Sequence, residues 1–396
     1  MPSIQDAYIV AAVRTPVGKA RGALRNARPD DLLAHAIRAL LAQCPGLDPA
    51  RIGDVIVGCA MPEAEQGMNV ARIGALLAGL PDATPGMTVN RFCASGLNAV
   101  ALAADRIRLG EAEVMIAAGT ETMSLIPMMG NKVVMNPALF ERDELRGIAY
   151  GMGLTAEKVA ARWQVSREDQ DAFAAASHAK ALAAIAAGHF RAEIAPYTAT
   201  ARAPGAGGEV RLTPRVVEHD EGPRPGTTVE ALARLRPVFA ARGSVTAGNS
   251  SQMSDGAAAV LLMSERALAA SGAVPLARFA GYAVAGVAPA LMGIGPVAAI
   301  PKLLAQTGVR QDAVEWIELN EAFAAQALAV LRELDLDPAR VNPLGGAIAL
   351  GHPLGATGAI RTATVVHALR RSGARYGMVT MCIGTGMGAA GLFERC

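Results

Sequence analysis

Cys93 stands in the octet Val89 to Gly96 (VNRFCASG), after a short strand signal and just before a helical pattern that begins near Gly96. A thiol at a helix N-terminus feels the partial positive charge of unpaired amides, which is expected to lower its pKa and make it a nucleophile. The ordinary alternative is that an isolated cysteine is a small buried hydrophobe. His352 lies in the glycine-dense run Asn342 to Gly358 (NPLGGAIALGHPLGATG). Glycine lets backbone approach a ligand or another loop closely. An imidazole placed there can take a proton from Cys93 and then donate to a developing oxyanion. A turn histidine bonded to backbone is its alternative. His35, His178 and His367 fall in helical patterns and His189 and His219 in or beside loops, so none is assigned a role.

Cys382 ends a strand pattern and is followed by the turn Gly384 to Gly388 (GTGMG), whose amides can converge on an anion. A glycine run after a strand also suggests a dinucleotide fingerprint. The strand-like stretch Ala389 to Phe393 stands where that fingerprint needs a helix, so the dinucleotide reading fails. Asn320 opens the run Asn320 to Ala324 (NEAFA), which joins the strand Trp316 to Leu319 to a helix. Functional side chains often sit at such a junction, and asparagine is also an ordinary helix cap there.

Strands and helices alternate along the chain: Tyr8 to Val13 as strand, Asp30 to Gln43 as helix with Asp30 and Asp31 as caps, Asp54 to Cys59 as strand, Asn69 to Leu80 as helix, Val114 to Ala118 as strand. Alternation of this kind predicts an α/β sheet covered by helices. Two stretches share a layout. A helix pattern over Gly96 to Gly110 leads into Val114 to Ala118, and one over Gly358 to Gly373 leads into Met378 to Ile383. A glycine-containing turn with one reactive residue, Cys93 or His352, precedes each. That reads as a duplicated strand-helix-strand unit bringing two loops to one surface, against the alternative of chance agreement between two α/β units. Between about Thr122 and Ser250 the pattern changes to a methionine-rich stretch, an alanine-rich helix over Arg167 to Ala187, and the Gly- and Pro-dense segment Arg202 to Gly226. This is either an insertion or simply the domain's long-looped middle. A further boundary is expected near Ser271 to Pro275, where a helix ends at Gly272.

In 396 residues, 52% are hydrophobic and only 18% charged, which excludes disorder. A net charge of +2 gives no chain-wide argument for nucleic acid or anionic membrane. The apolar runs are interrupted well before a bilayer span, so no transmembrane helix is expected. Met1 to Val13 carries no basic residue ahead of its apolar run, and Phe393 to Cys396 is no peroxisomal signal, so a cytoplasmic address is expected. Five cysteines without CxxC spacing argue against a disulfide framework or structural zinc, and no metal is expected.

Taken together, VNRFCASG, Gly248 to Ala259 (GNSSQMSDGAAA), NEAFA, Gly345 to Gly358 (GGAIALGHPLGATG) and Cys382 to Gly388 (CIGTGMG) resemble the thiolase family, from the first strand to the last. The resemblance implies a thiolase-like α/β fold of two similar halves, each a mixed sheet covered by helices. Residues 1–270 would form the first half, with a loop domain inserted at about 122–250, and residues 271–396 the second. It implies that Cys93 accepts the acyl group, His352 activates it, and Cys382 is the acid/base thiol. Asn320 would hold a water in the hole for the thioester enolate oxygen, and the amides of Cys93 and Gly384 would form the second hole. Ser251 and Arg224 match positions that contact coenzyme A, and Met152 and Phe323 are expected to line the acyl pocket. Coenzyme A is then a substrate, no cofactor is required, and the chain is expected to form a homodimer or homotetramer. The implied reaction is thiolytic cleavage of 3-ketoacyl-CoA, and the reverse Claisen condensation. The alternatives are a short-chain acetoacetyl-CoA thiolase in biosynthesis, a ketoacyl synthase-type condensing enzyme, or a non-catalytic lipid-binding member of the fold. One departure stands out: Gly151, in Tyr150 to Gly153 (YGMG), replaces the histidine usual in short-chain biosynthetic relatives, which makes longer or branched acyl groups plausible.

Overall fold

The computed structural model describes residues 4–204, 207 and 209–396; Met1–Ser3, Gly205, Ala206 and Gly208, which the readings of the N-terminus and of the segment Arg202 to Gly226 touch, lie outside them. Its strands are β1 (Ala7–Arg14), β2 (Gly18–Lys19), β3 (Ile52–Gly58), β4 (Gly86–Val89), β5 (Val114–Thr122), β6 (Tyr197–Pro204), β7 (Val210–Val217), β8 (Ser254–Ser264), β9 (Ala277–Gly286), β10 (Val314–Leu319), β11 (Tyr376–Ile383) and β12 (Met387–Arg395). The helices are α1 (Pro29–Ala42), α2 (Val70–Leu77), α3 (Ser95–Arg108), α4 (Met152–Arg162), α5 (Arg167–Ala186), α6 (Val229–Ala233), α7 (Glu265–Ser271), α8 (Gly295–Thr307), α9 (Ala324–Glu333), α10 (Ala347–Leu350) and α11 (Leu354–Ser372).

The duplication is real at the level of topology. In the first half the order is β1-β8-β5-β3-β4, with β1–β8 and β8–β5 antiparallel and β5–β3 and β3–β4 parallel. In the second it is β9-β12-β11-β10, with β9–β12 and β12–β11 antiparallel and β11–β10 parallel. A parallel bridge from Ile317 to Val341 stands where β4 stands in the first half. A short antiparallel contact between β1 and β9, at Tyr8–Arg278 and Ile9–Ala277, joins the two. Within this frame α3 and α11 occupy the same place, each feeding the strand that follows it.

Burial on both faces is why these strands read as continuous apolar runs rather than alternating ones. On β3, Ile56 points into one cluster while Val55 and Val57 point into another; on β5, Met115 and Ala117 oppose Val114, Ile116 and Ala118. The first cluster is the central layer. It takes Leu97, Val100 and Ile107 of α3, Val365, Val366 and Leu369 of α11, and side chains from both half-sheets, including Val260, Leu262, Val379 and Phe393. Helices α1 and α2 cover the outer face of the first half-sheet, and α8 and α9 that of the second, through Ile300, Leu303 and Val330. In the central layer α3 and α11 touch backbone to backbone. A Cβ at Gly358 would lie 2.0 Å from Leu97 N, and one at Gly96 would lie 2.6 Å from Ala359 N.

Where the halves differ is the link between their last two strands. Residues 384–386 make a tight turn from β11 to β12, with Thr385 at φ 68° and Gly386 at φ 88°. The corresponding link from β5 to β8, residues 123–253, carries α4, α5, the β6–β7 hairpin and α6. It is tied to the first strand by a buried ion cluster: Arg14 Nε bonds Glu193 Oε1 at 2.6 Å, and its Nη1 and Nη2 bond the two Asp220 oxygens at 2.7 and 2.9 Å.

Three expectations need correction. Helix α1 starts at Pro29 with Arg28 at the cap, so Asp30 and Asp31 lie in its first turn; Asp30 pairs with the Arg28 guanidinium instead of capping. Proline at the first helical position sets the start earlier than the acids do. Helix α2 runs only over Val70–Leu77, with Asn69 outside it at φ 59°. Finally, Pro289–Thr307 does have the length and hydropathy of a bilayer-crossing helix. Here it is a kinked 3-10 turn followed by α8, and α8 packs its apolar side onto β9 and β12 as a core helix.

Candidate active site

The residues around Cys93 hold one another in a fixed turn. Asn90 Oδ1 accepts the Phe92 amide at 2.8 Å, and the Ser95 hydroxyl donates to Phe92 O at 2.7 Å while accepting the Arg91 amide at 2.8 Å. This locks Phe92 at φ 44° and makes Phe92–Ala94 a 3-10 turn that runs directly into α3. The turn packs against α11, which follows His352. At the sulfur of Cys93 two amides converge, its own and that of Gly384, and both favour the thiolate. Burial outweighs them and pushes the thiol up to about 11. The expected lowering is therefore overturned: Cys93 is only 9% exposed, and desolvation of a thiolate costs more than two amides return.

His352 is held at both ends. Its amide bonds Ser254 Oγ at 3.1 Å, and Met253 bridges it as a strand neighbour. Its Nδ1 lies 2.6 Å from Thr357 Oγ1, whose own hydrogen has the Pro353 carbonyl 3.0 Å away. A hydroxyl with its hydrogen spent on a carbonyl accepts at the other side, which assigns the proton to Nδ1 and the lone pair to Nε2. Asn320 Nδ2, 3.3 Å from Nε2, fits that tautomer as the donor. Burial, with Arg361 adding repulsion, brings His352 down to about 3, so the ring is neutral.

Asn320 is fully buried, and its Oδ1 has no partner among the described residues. A buried amide oxygen left in that state is a place for a polar group from outside the chain, such as water. Two acids that the sequence reading passed over hold these loops. Glu321 accepts from Ser177 Oγ at 2.7 Å, Asn342 Nδ2 at 2.8 Å and the Ile348 amide at 3.2 Å, so it ties the Asn320 loop to α5 and to α10. Glu121 accepts the amides of Ala60 at 2.7 Å and Gly355 at 2.8 Å, tying β5 to the start of α11. The signal for Glu121 was available, since it is the one acid in the apolar strand β5; Glu321 lies just past β10, which carries Glu315 and Glu318 of its own, so it did not stand out.

Cys382 is fully buried on β11 among Ala156, Val245, Met292, Ala322 and Phe323. Burial, reinforced by the nearby Cys93, holds its thiol well above the ordinary range. In front of Cys93 and Gly384 opens a cavity of about 230 Å³, walled by Met61, Phe92, Met128, Met129, Ile148, Tyr150, Met152 and Leu354. Gly151 also lines it, and a Cβ built there meets nothing within 4 Å.

Of the residues expected in the acyl pocket, Met152 is there and Phe323 is not. Phe323 caps α9 with its ring edge-on to Phe239, 6.0 Å between centroids, and it backs Cys382 rather than the cavity. Ser251 and Arg224 also lie outside the cavity wall. The Ser251 amide bonds Ala322 O at 2.9 Å, and exposed Arg224 is anchored through its amide to His178 Nδ1 at 3.1 Å. Burial lowers His178 to about 4, which keeps that nitrogen an acceptor. Among the described residues no group of three or more His, Cys, Asp or Glu has the arrangement of a metal site.

Residues 7–266 match the family Thiolase, N-terminal domain, and residues 273–395 match Thiolase, C-terminal domain. The chain is 50% identical to a 3-ketoacyl-CoA thiolase of Bacillus subtilis, over 99% of this chain and 100% of that one. It is 48% identical to an acetyl-CoA acetyltransferase of Pseudomonas aeruginosa, over 98% of each. Among solved structures, the Bacillus anthracis acetyl-CoA acetyltransferase superposes with a TM-score of 0.89 at 38% identity, covering 100% of both chains.

Proposed function

The chain belongs to the thiolase family, and from that premise we propose that it cleaves 3-ketoacyl-CoA with coenzyme A, releasing acetyl-CoA and an acyl-CoA two carbons shorter. The observation that carries the reading is that Cys93 and Gly384 lie together in the lining of one apolar cavity.

Cys93 attacks C3 of the substrate as its proton passes to His352 Nε2. The oxyanion formed on C3 takes hydrogen bonds from the Cys93 and Gly384 amides. Collapse breaks the C2–C3 bond and leaves its electron pair on the acetyl-CoA enolate. The enolate oxygen is held by His352, now protonated, and by water on Asn320. Cys382 protonates C2, and acetyl-CoA departs. A second coenzyme A then gives its thiol proton to Cys382 and attacks acyl-Cys93; the Cys93 sulfur leaves and recovers its proton from His352, and the product is released. Resting as thiol and neutral imidazole, Cys93 and His352 exchange the proton during the attack rather than before it. Ser251 and Arg224, outside the cavity wall, are the residues proposed to contact coenzyme A.

The wall of the cavity favours a plain aliphatic acyl group. Among the relatives is a beta-ketoadipyl-CoA thiolase of Pseudomonas aeruginosa, 46% identical over 99% of both chains. The acyl group of ketoadipyl-CoA ends in a carboxylate, and none of the residues lining this cavity is charged. Burying that carboxylate unpaired would be costly. Assay of thiolysis across C4 to C16 3-ketoacyl-CoAs and 3-ketoadipyl-CoA tests this. Activity on the aliphatic series, lost entirely in Cys93→Ala, is the expected result; activity on the diacid alone would overturn it.

The second element of the proposal is self-association. Strand β4 is a sheet edge that leads into the Cys93 turn, with Met87 38% exposed on it and Met68, Leu76 and Leu77 exposed nearby in sequence. An unpaired apolar edge is suited to a second copy of the chain.

A further inference from the structure

We propose that Glu63 clamps the corner Met128–Gly130 into an apolar rim that receives the distal carbons of a long 3-ketoacyl chain; this rests on the thiolase reading above. Met128 and Met129 line the cavity, yet they are 38% and 41% exposed, so they form its mouth. Two thioethers held at a mouth, facing both the cavity and water, present partly uncovered apolar surface.

The corner is also held against its own preference. Met129 has φ 74°, a left-handed conformation that a long side chain rarely adopts, and Gly130 follows at φ 86°. Such a conformation persists where surrounding groups impose it, and it clusters at ligand clamps. The Gly130 amide on Pro127 O at 2.9 Å closes the turn, and Glu63 pins its far side. Its Oε1 accepts both the backbone amide and the side-chain amide of Asn131, the latter at 2.7 Å. Its Oε2 sits where a Cβ on Gly130 would come within 2.8 Å, and the turn's φ of 86° favours glycine there.

Glu63 itself belongs to the opposite wall. Its amide bonds Met61 O at 2.8 Å, Met61 lines the same cavity, and the Met61 amide is held by buried Glu121. The clamp therefore joins the two walls of the mouth and fixes the distance between them. Methionine suits such a rim, because a flexible and polarizable side chain adapts to chains of different length. A four-carbon acyl group is consumed at Cys93 without reaching the rim. Longer chains lie along it, and a rim fixed in advance adds to their binding without an ordering cost.

The test measures kcat and KM for thiolysis of C4, C8, C12 and C16 3-ketoacyl-CoAs. Glu63→Ala is expected to raise KM for C12 and C16 by about 5-fold or more, with kcat within about twofold and both C4 constants unchanged, as befits lost preorganisation. Glu63→Gln keeps an acceptor oxygen and should retain the wild-type profile. Acetyl transfer from acetyl-CoA to Cys93 should be equal in all three proteins, which separates the rim from general damage. A KM change of the same proportion at every length, or none at C16, overturns the rim. Wild-type protein that thiolyses no length at all overturns the thiolase reading itself.

Discussion

Burial favours the thiol form of Cys93, held up to about 11, and the neutral form of His352, so in the proposed mechanism the proton passes between them during the attack. The sign for pH dependence follows from that pair. The basic form of His352 is lost only as pH falls through about 3, and the thiol of Cys93 only as pH rises through about 11. Acetyl transfer from acetyl-CoA to Cys93 should therefore be flat from about pH 5 to about pH 9. An acid limb near 6.5, the value of a solvated imidazole, would show that His352 is not buried during turnover. At Cys382 the expected effect is a split. In Cys382→Ser acetyl transfer to Cys93 should survive, while carbon–carbon cleavage falls by at least about 100-fold, the usual scale for losing a general acid. Equal losses in both half-reactions would remove the separate role given to Cys382. The candidate residues were singled out in the sequence by strand-turn-helix context and glycine density. The direction of the Cys93 shift was not, since it depends on how much protein covers the sulfur. Phe323 failed for a related reason: being next to a site residue in sequence does not say which way a ring faces.

At the scale of elements, glycines and one arginine do the positioning. The backbone contact of α3 with α11 at Gly96 and Gly358 brings the Cys93 turn and the His352 loop to one place. Arg14 holds the insertion to β1 through Glu193 and Asp220, all three almost fully buried. Arg14→Met should cost about 3–5 kcal/mol, read as a fall in chemical denaturation midpoint, because it leaves two buried carboxylates unpaired. A midpoint unchanged within error would show that the insertion is anchored elsewhere. Gly151, at the cap of α4, faces open cavity and has φ −61°, so any side chain fits its backbone. Gly151→His should then leave the fold intact and depress C8 and longer substrates several-fold more than C4, since each excluded CH₂ forfeits up to about 0.8 kcal/mol. The same proportional loss at every length would mean that this position does not gate the pocket. Strands and long helices were legible because apolar runs and periodicity mark them. Caps were not, because Pro29 fixed the start of α1 ahead of the acids that looked like its signal.

For the whole molecule, the edge at β4 predicts that the active species is larger than one chain. Light scattering at assay concentration should give a dimer or tetramer, and Met87→Lys, on that edge, should shift it toward monomer. A fully active wild-type monomer would count against pairing through β4. The two-half design was visible in the sequence as one repeated helix-and-strand pair. The remaining strands of the repeat were hidden because 131 residues, 123–253, separate β5 from β8, where residues 384–386 suffice between β11 and β12. The equivalence of those halves constrains what the site can contain. Cys93 precedes α3 and His352 precedes α11, so sulfur and imidazole occupy one position in two copies of a single unit. Two separate identical subunits related by a twofold axis would have to place the same residue at both positions, a pair of thiols or a pair of imidazoles. Neither pair sets a thiol beside an imidazole. Joining the copies in one polypeptide breaks that symmetry, letting one copy carry the thiol and the other the imidazole.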